Sequence, residues 1–384
     1  MIMGYNFSMV LAFKTSPWLI DQLKNIQARL GKFYAEIQDL SDTEKEFIKK
    51  QAFISNIGAS TRIENALLTD QEIEWIDTAL SEDARPTAFD KHKDLILNKL
   101  SKDKERSIEE VVGCREMLEI IYSQYKELKP FRESDLRGLH GHLLRHYPEA
   151  KHYSGKYKPN TNKVVMINNE TGERSTVLDP ADPGPITEAA MRDLIEWYNH
   201  AITECPWPLL IASEFTFRFL AIHPFQDGNG RISRALFLLI LLQSDDKYVS
   251  EVSRYISIDR HIEQNRSAYY LALREGSDGK FKQDPKKYNL EPIVGFFIRS
   301  FDKALDDIEI YKTKFSKLRD LTDLEKEILK AFKSRPETKL RVSDIEKETG
   351  LNIRSIHNAI KRLSGIGFLQ KSGRGPQVKY QLVF

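Results

Sequence analysis

A short β-rich interval set inside a long helical pattern limits the class of fold open to this chain. Lys163-Val-Val-Met-Ile167, Asn168-Asn-Glu-Thr-Gly172 and Glu173-Arg-Ser-Thr-Val-Leu178 read as strand, turn and strand. On either side the spacing is helical. Phe47, Gln51, Ile54 and Ile57 share one face after Ser41-Asp-Thr-Glu44, which fits a capping box. The Pro-rich run Asp179 to Pro185 ends the hairpin, and Thr187 to Ala201 and Pro208 to Ile222 resume helical spacing. The expected fold is mainly α with one β-hairpin.

From about Thr322 the pattern changes again. A helix around Leu324 to Ser334, a second at Val342 to Thr349, Gly350 at a turn and a third at Asn352 to Ser364 precede two strands, Phe368-Leu-Gln and Val378 to Phe384. Helix, helix, turn, helix, hairpin is the order of a small winged helix-turn-helix domain. Between Gly350 and Phe384 there are six basic residues and no Asp or Glu, although the whole chain carries a net charge of only +2. A length of 384 residues favours two or three domains, and the borders read as 1–105, 106–315 and 320–384.

Composition removes several classes. With 41% hydrophobic and 30% charged residues the chain is neither disordered nor fibrous. Two cysteines, Cys114 and Cys205, cannot build a disulfide framework or a four-cysteine zinc site, so a reducing cytoplasm is expected. Met1 to Lys14 lacks the basic and apolar order of a signal peptide. The longest apolar stretch, Ala235 to Leu242, is far short of the about 20 residues that span a bilayer, so no membrane partner is expected.

The chemistry concentrates in His223-Pro-Phe-Gln-Asp-Gly-Asn-Gly-Arg-Ile-Ser-Arg234. Gly228, Asn229 and Gly230 suit a loop whose backbone N–H groups turn toward phosphate at the positive end of the next helix. Arg231 and Arg234, three apart, share a helix face and can fork onto phosphate oxygens. Asp227 is the one acid of the loop, where a polyphosphate needs a magnesium ligand. His223 closes the preceding helix and suits a general base.

This run is similar to the Fic signature: His-Pro-Phe, any residue, Asp or Glu, Gly-Asn-Gly-Arg, two residues, Arg. All eight fixed identities and the restricted position are present, and on them the chain resembles the Fic family, over roughly residues 10–310. The resemblance implies a Fic-type helical catalytic domain that moves AMP from ATP to a protein hydroxyl. By it, His223 deprotonates the hydroxyl, Asp227 holds Mg²⁺ across the α- and β-phosphates, and Phe225 is core support. The backbone of Gly228, Asn229 and Gly230 forms the anion hole, and Arg231 and Arg234 grip the phosphates that leave as pyrophosphate. Val164, Val165, Met166 and Ile167 correspond to the family flap, which pairs with the target protein as an added strand. Tyr269 and Tyr270 stand where relatives place a tyrosine pair beside the nucleotide base. Where some relatives have an adenine-contacting Asn, this chain has Arg274-Glu-Gly-Ser-Asp278.

Ser60-Thr-Arg-Ile-Glu-Asn65 fits the family's inhibitory pattern, Ser or Thr, three residues, Glu, then Gly or Asn. Helical spacing already runs through Glu44 to Ile63, and Thr69-Asp-Gln-Glu72 opens the next helix, so Glu64 closes one, with Asn65 as its left-handed terminating residue. A carboxylate there faces the negative end of the helix dipole and needs a cation, for which Arg234 is the candidate. Pairing with Glu64 would withdraw Arg234 from the γ-phosphate. The main expectation is an autoinhibited adenylyltransferase, with self-modification and AMP removal open to the same site. Two alternatives stand beside it: Fic-type transfer of another phosphate-containing group, and a transcriptional regulator. In the latter the winged helix would bind DNA through Arg354, Asn358, Lys361 and Arg362, with a wing at Lys371 to Arg374, and the Fic part would act as sensor. Homo-oligomers remain open.

Overall fold

The computed structural model describes residues 10–81, 88–100, 104–167, 174–333 and 339–382. In chain order its elements are α1 (Pro17–Asp39), α2 (Asp42–Ile63), α3 (Asp70–Ser81), α4 (Ala88–Lys99), α5 (Glu105–Gln124) and α6 (Glu133–Leu143). There follow β1 (Val164–Ile167), β2 (Arg174–Leu178), α7 (Pro185–Glu204), α8 (Pro208–Ile222), α9 (Asn229–Leu242), α10 (Lys247–Val252), α11 (Ile258–Gln264), α12 (Arg266–Ser277) and α13 (Glu291–Ala304). Last come α14 (Asp307–Arg319), α15 (Asp323–Lys333), α16 (Val342–Thr349), α17 (Ile353–Gly365), β3 (Leu369–Ser372) and β4 (Lys379–Leu382). The expected mainly α class with a hairpin is the observed one. Among the described residues no helix is long and apolar enough to cross a membrane.

The chain forms two compact units. The first comprises residues 1–66 and 109–308. Its centre is α8 against α9, both buried along nearly their whole length. Helices this rich in apolar residues have almost no water-facing side and must lie inside others, and α7, α13 and α2 supply that cover. In α2 the buried positions include the polar Gln51, Ser55, Asn56, Ser60 and Thr61. Such groups are tolerated inside only with partners. Asn56, for example, donates to the Tyr122 hydroxyl (3.1 Å) and the Ile256 carbonyl (3.2 Å) and accepts from Ser257 Oγ (3.0 Å).

The hairpin pairs β1 with β2 antiparallel, with a bulge between Val164 and Val165. Its base is tied down by Asp179 N–H to the Gly279 carbonyl (2.9 Å) and Phe281 N–H to the Asp179 carbonyl (2.8 Å). The expected turn Asn168 to Gly172 lies outside the described residues.

The second unit comprises residues 67–108 and 309–384. Its core gathers Leu321, Ile328, Phe332, Ile345, Ile356 and Leu363 from α15, α16, α17 and the segment before them. Gly350 at φ 68° ends α16, and Asn352 caps α17 by accepting from Ser355 N–H (2.9 Å). Leu340 adds a strand pairing to β4 through two bonds with Tyr380 (2.9 and 2.8 Å), which the sequence pattern did not disclose. Residues 67–108, drawn with the N-terminal helices on the sequence, group here with the C-terminal ones. Trp75 of α3 lines one groove with Leu382, and Glu74 pairs with Lys333 at 3.7 Å.

Candidate active site

The loop from His223 to Gly228 joins α8 to α9, and its backbone is fixed from several sides. His223 ends α8 in the left-handed region (φ 52°, ψ 58°), its N–H reaching the Phe219 carbonyl at 2.8 Å. A non-glycine residue there is uncommon and clusters at functional positions. Gly228, at φ 81°, turns the chain into α9. The Asn229 amide closes the loop on itself, accepting from Phe225 N–H (2.9 Å) and donating to the Phe225 carbonyl (2.7 Å). Only the backbone of Asn229 is therefore left for a ligand.

Three residues remote in sequence complete the brace. His140 of α6 lies flat on Phe225, ring centroids 3.8 Å apart, and its Nδ1 accepts from Gly155 N–H at 2.9 Å. That assigns the proton to Nε2, which donates to the Asp227 carbonyl at 3.0 Å. Burial pushes this imidazole down to about 4, against the nearby Asp227 backbone and carboxylate. The Lys158 backbone N–H donates to the Pro224 carbonyl (2.8 Å), and its ammonium to Asn162 Oδ1 (2.9 Å) and the Ile222 carbonyl (3.2 Å). Asn162 in turn donates to the Phe225 carbonyl at 2.9 Å. None of the three carried a sequence signal, because each acts across more than sixty residues of chain.

His223 is held neutral. Burial first, and then the Lys158 ammonium, push its imidazole down to about 4, while Glu64 and Asp227 pull the other way. An uncharged imidazole at neutral pH is the form that accepts a proton.

His223, Asp227, Gly228, Asn229, Gly230 and Arg234 line one cleft, together with Glu64, Val164, Tyr269 and Tyr270, enclosing about 590 Å³ including its mouth. Asp227 Oδ1 accepts from Gly228 N–H (2.6 Å) and, weakly, from Arg231 Nη2 (3.4 Å). Arg231 is buried, stands 3.9 Å from Glu110, and keeps its Nε and Nη1 without a hydrogen bond among the described residues. His223 Nδ1, Gln226 Oε1 and the Tyr269 hydroxyl are likewise buried and unsatisfied. Buried polar atoms are nearly always paired, so this grouping is what a site built for a polar ligand looks like.

The other arginine faces a different partner. Arg234 donates from Nε to Ser60 Oγ (2.9 Å) and from Nη2 to the Ser60 carbonyl (2.8 Å) and Glu64 Oε1 (2.9 Å). Burial alone would lower this guanidinium, but Glu64 and Asp259 more than offset it and hold it above its ordinary value. Asp259 is buried beside it and is raised to about 6 by burial, which Arg234 and Ser60 oppose. Arg231 and Arg234 thus diverge here and share no partner among the described residues.

Glu64 owes its place to how α2 ends. Asn65 is left-handed (φ 72°), its N–H meets the Arg62 carbonyl (2.9 Å), and Ala66 N–H meets the Thr61 carbonyl (3.1 Å). That is a Schellman ending, here with Asn in the glycine position. Arg62 grips Glu263 with two bonds (2.7 and 3.0 Å), and Arg266 reaches Asn65 Oδ1 at 3.1 Å.

Of the tyrosine pair, Tyr269 is fully buried and packs on Phe296 and Phe297, centroids 5.6 and 6.2 Å away. Tyr270 is less buried and lies against Arg266. In the hairpin Val164 faces the cleft and Val165 is 46% exposed; the Met166 and Ile167 side chains lie outside the described residues.

The sequence model of the Fic/DOC family matches residues 130–241. A "Protein adenylyltransferase Fic" of Nematostella vectensis is 24% identical over 220 residues, 56% of this chain and 44% of that protein. One of Drosophila willistoni is 23% identical over 259 residues, 67% of this chain and 42% of that protein. The chain therefore spans less than half the length of these curated relatives. Among solved structures, a Fic family protein from Desulfovibrio desulfuricans G20 superposes with a TM-score of 0.54 at 21% identity, covering 97% of this chain and 98% of the other. A Fic domain containing signaling protein from Bacteroides thetaiotaomicron gives 0.53 at 22% identity, covering 75% and 97%. Residues 130–241, with the loop at 223–234 inside them, are thus the part of this chain that matches the Fic/DOC family.

Proposed function

We propose that this chain is a protein adenylyltransferase held in check by its own Glu64. The observation that carries the reading is one cleft holding a neutral His223, the start of α9 and the Glu64–Arg234 pair. The phosphates of ATP would lie at the first turn of α9, where backbone N–H groups and the helix dipole favour anions. His223 takes the proton of a target hydroxyl, the oxygen attacks the α-phosphorus, and the bond to pyrophosphate breaks. Named curated relatives that are adenylyltransferases support AMP as the group moved.

Magnesium fits the residues present. It is commonly held by one or two carboxylates plus substrate phosphates, and Asp227 offers one at 36% exposure on the cleft wall. Held there, it would neutralise charge on the substrate phosphates.

The outer edge of β1 has no strand partner among the described residues, and Val165 is exposed on it. An extended segment of the target protein adding there would bring its hydroxyl toward His223. Inhibition follows from Arg234: while Glu64 holds this guanidinium, the charge a γ-phosphate needs is already engaged.

The second unit supports a winged-helix reading with a nucleic-acid partner. On α17, Arg354, Asn358 and Lys361 are exposed opposite the buried Ile356, Ala359, Ile360 and Leu363, and Lys371 and Arg374 are exposed beyond it. Arg362 is exposed beside them but is already engaged by Glu325 Oε2 (2.6 Å) and the Asp320 carbonyl (3.2 Å).

The test is to incubate the Glu64→Gly variant with lysate and ATP labelled on either the α- or the γ-phosphate. AMP transfer predicts label on protein from the α-position only. Label from the γ-position alone would mean phosphate transfer, and no label from either would leave the regulator reading.

A further inference from the structure

We infer that Lys158 is a positioning residue for His223, holding the backbone on both sides of it; this rests on His223 being the general base proposed above. The first observation is where the lysine lies. Lys158 is 2% exposed, yet its ammonium forms no ion pair among the described residues and meets only the Asn162 amide oxygen and the Ile222 carbonyl, at 2.9 and 3.2 Å. A lysine is almost never fully buried without a counter-charge, because desolvating the cation is unfavourable. Burial accordingly lowers it to about 8, with Asp182 and Asp179 favouring the charge from beyond ion-pair distance.

The second observation is what it holds. Ile222 and Pro224 flank His223, and both of their carbonyls are bound by Lys158, one through the ammonium and one through its backbone N–H at 2.8 Å. Between these two anchors His223 keeps φ 52° and ψ 58°, a conformation that persists in a non-glycine residue only where the surroundings over-determine it. Asn162 links the ammonium to the next carbonyl, that of Phe225, at 2.9 Å. The cation also sits at the negative end of α8, which favours it there.

The charge has a second effect on the same ring. The charged groups acting on His223 are Lys158, Glu64 of α2 and Asp227 of the loop, and Arg234 of α9 lines the same cleft. Lys158 opposes protonation of the imidazole, whereas the two carboxylates favour it. Losing the ammonium should loosen the left-handed turn and let the ring take up a proton at higher pH.

The experiment compares Lys158→Met and Lys158→Arg in the full-length Glu64→Gly chain. Lys158→Met is expected to lower kcat about 10- to 100-fold, the scale of a small misplacement of a reacting group, with KM for ATP within about twofold. The NMR titration midpoint of His223 should rise by about one unit. Lys158→Arg should restore the midpoint and most of kcat. An unchanged midpoint in Lys158→Met, or a loss of kcat that Lys158→Arg leaves unrepaired while both variants bind ATP normally, would overturn the assignment. The titration needs no turnover, so it tests Lys158 even if the Glu64→Gly chain transfers no AMP, an outcome that would count against the proposed function alone.

Discussion

The Glu64 carboxylate fills the space that a side chain at residue 230 would need: a β-carbon on Gly230 would stand 2.1 Å from Glu64 Oε1. The absence of a side chain there lets the acid lie against the first turn of α9, whose dipole attracts it, while Arg234 one turn on takes the same oxygen at 2.9 Å. One carboxylate thus engages both features that a polyphosphate would use.

Gly230→Ala should therefore displace Glu64. In the otherwise natural chain it should destabilise by about 1 to 3 kcal/mol, with a partly buried ion pair disrupted. Combined with Glu64→Gly, the same alanine should cost at least about 1 kcal/mol less, and urea melts of the four chains measure this coupling. Equal costs in both backgrounds would mean that Glu64 does not occupy that space in solution.

Both imidazoles of the site should stay neutral through the physiological range. His140 and His223 are lowered to about 4, chiefly by burial, so neither ring should show an NMR titration step between pH 8 and about pH 5. Both folded values lie below the unfolded value of about 6.5, so the stability these rings contribute is fully present above that pH. It is lost as pH falls toward 4, since the unfolded chain then binds more protons. A midpoint near 6.5 for either ring would contradict the buried, braced geometry.

Arg354→Glu with Lys361→Glu should weaken retention on duplex DNA and flatten its salt dependence, by about one unit of slope for each phosphate that is no longer neutralised. Arg362→Ala should instead lower the melting temperature, because it leaves Glu325, 4% exposed at the side chain, with Thr322 but without its cation. Salt-independent behaviour of the wild type on DNA would turn α17 into a protein-docking face.

The twelve residues from His223 to Arg234 were legible because the loop, the glycine-flanked start of α9 and both arginines are contiguous in the chain. Helix ends were legible for the same reason: the Ser41–Glu44 box and the left-handed Asn65 are local devices. His140, Lys158 and Asn162 were not, since their partners are 87, 64 and 63 residues away and no short pattern marks them. Arg231 and Arg234 read as one phosphate fork from their spacing. Only the fold shows that α2 claims one of them and that the other turns toward Asp227 and Glu110. The grouping of residues 67–108 with the C-terminal residues is equally nonlocal, as is the strand pairing of Leu340 with Tyr380.

The most direct test of the account is label incorporation from α-labelled ATP by the wild type, Glu64→Gly, Arg234→Ala and the double variant, with thermal melting alongside. Releasing Arg234 should raise incorporation strongly in Glu64→Gly, self-modification included, and the gain should vanish when Arg234 is also removed. Melting should move the other way, since the buried guanidinium loses its carboxylate, at a cost of up to about 3 to 5 kcal/mol for a fully buried pair and less at the 33% exposure of Glu64. Equal incorporation by the wild type and Glu64→Gly, with only stability reduced, would contradict the account and leave Glu64 as a structural ion pair.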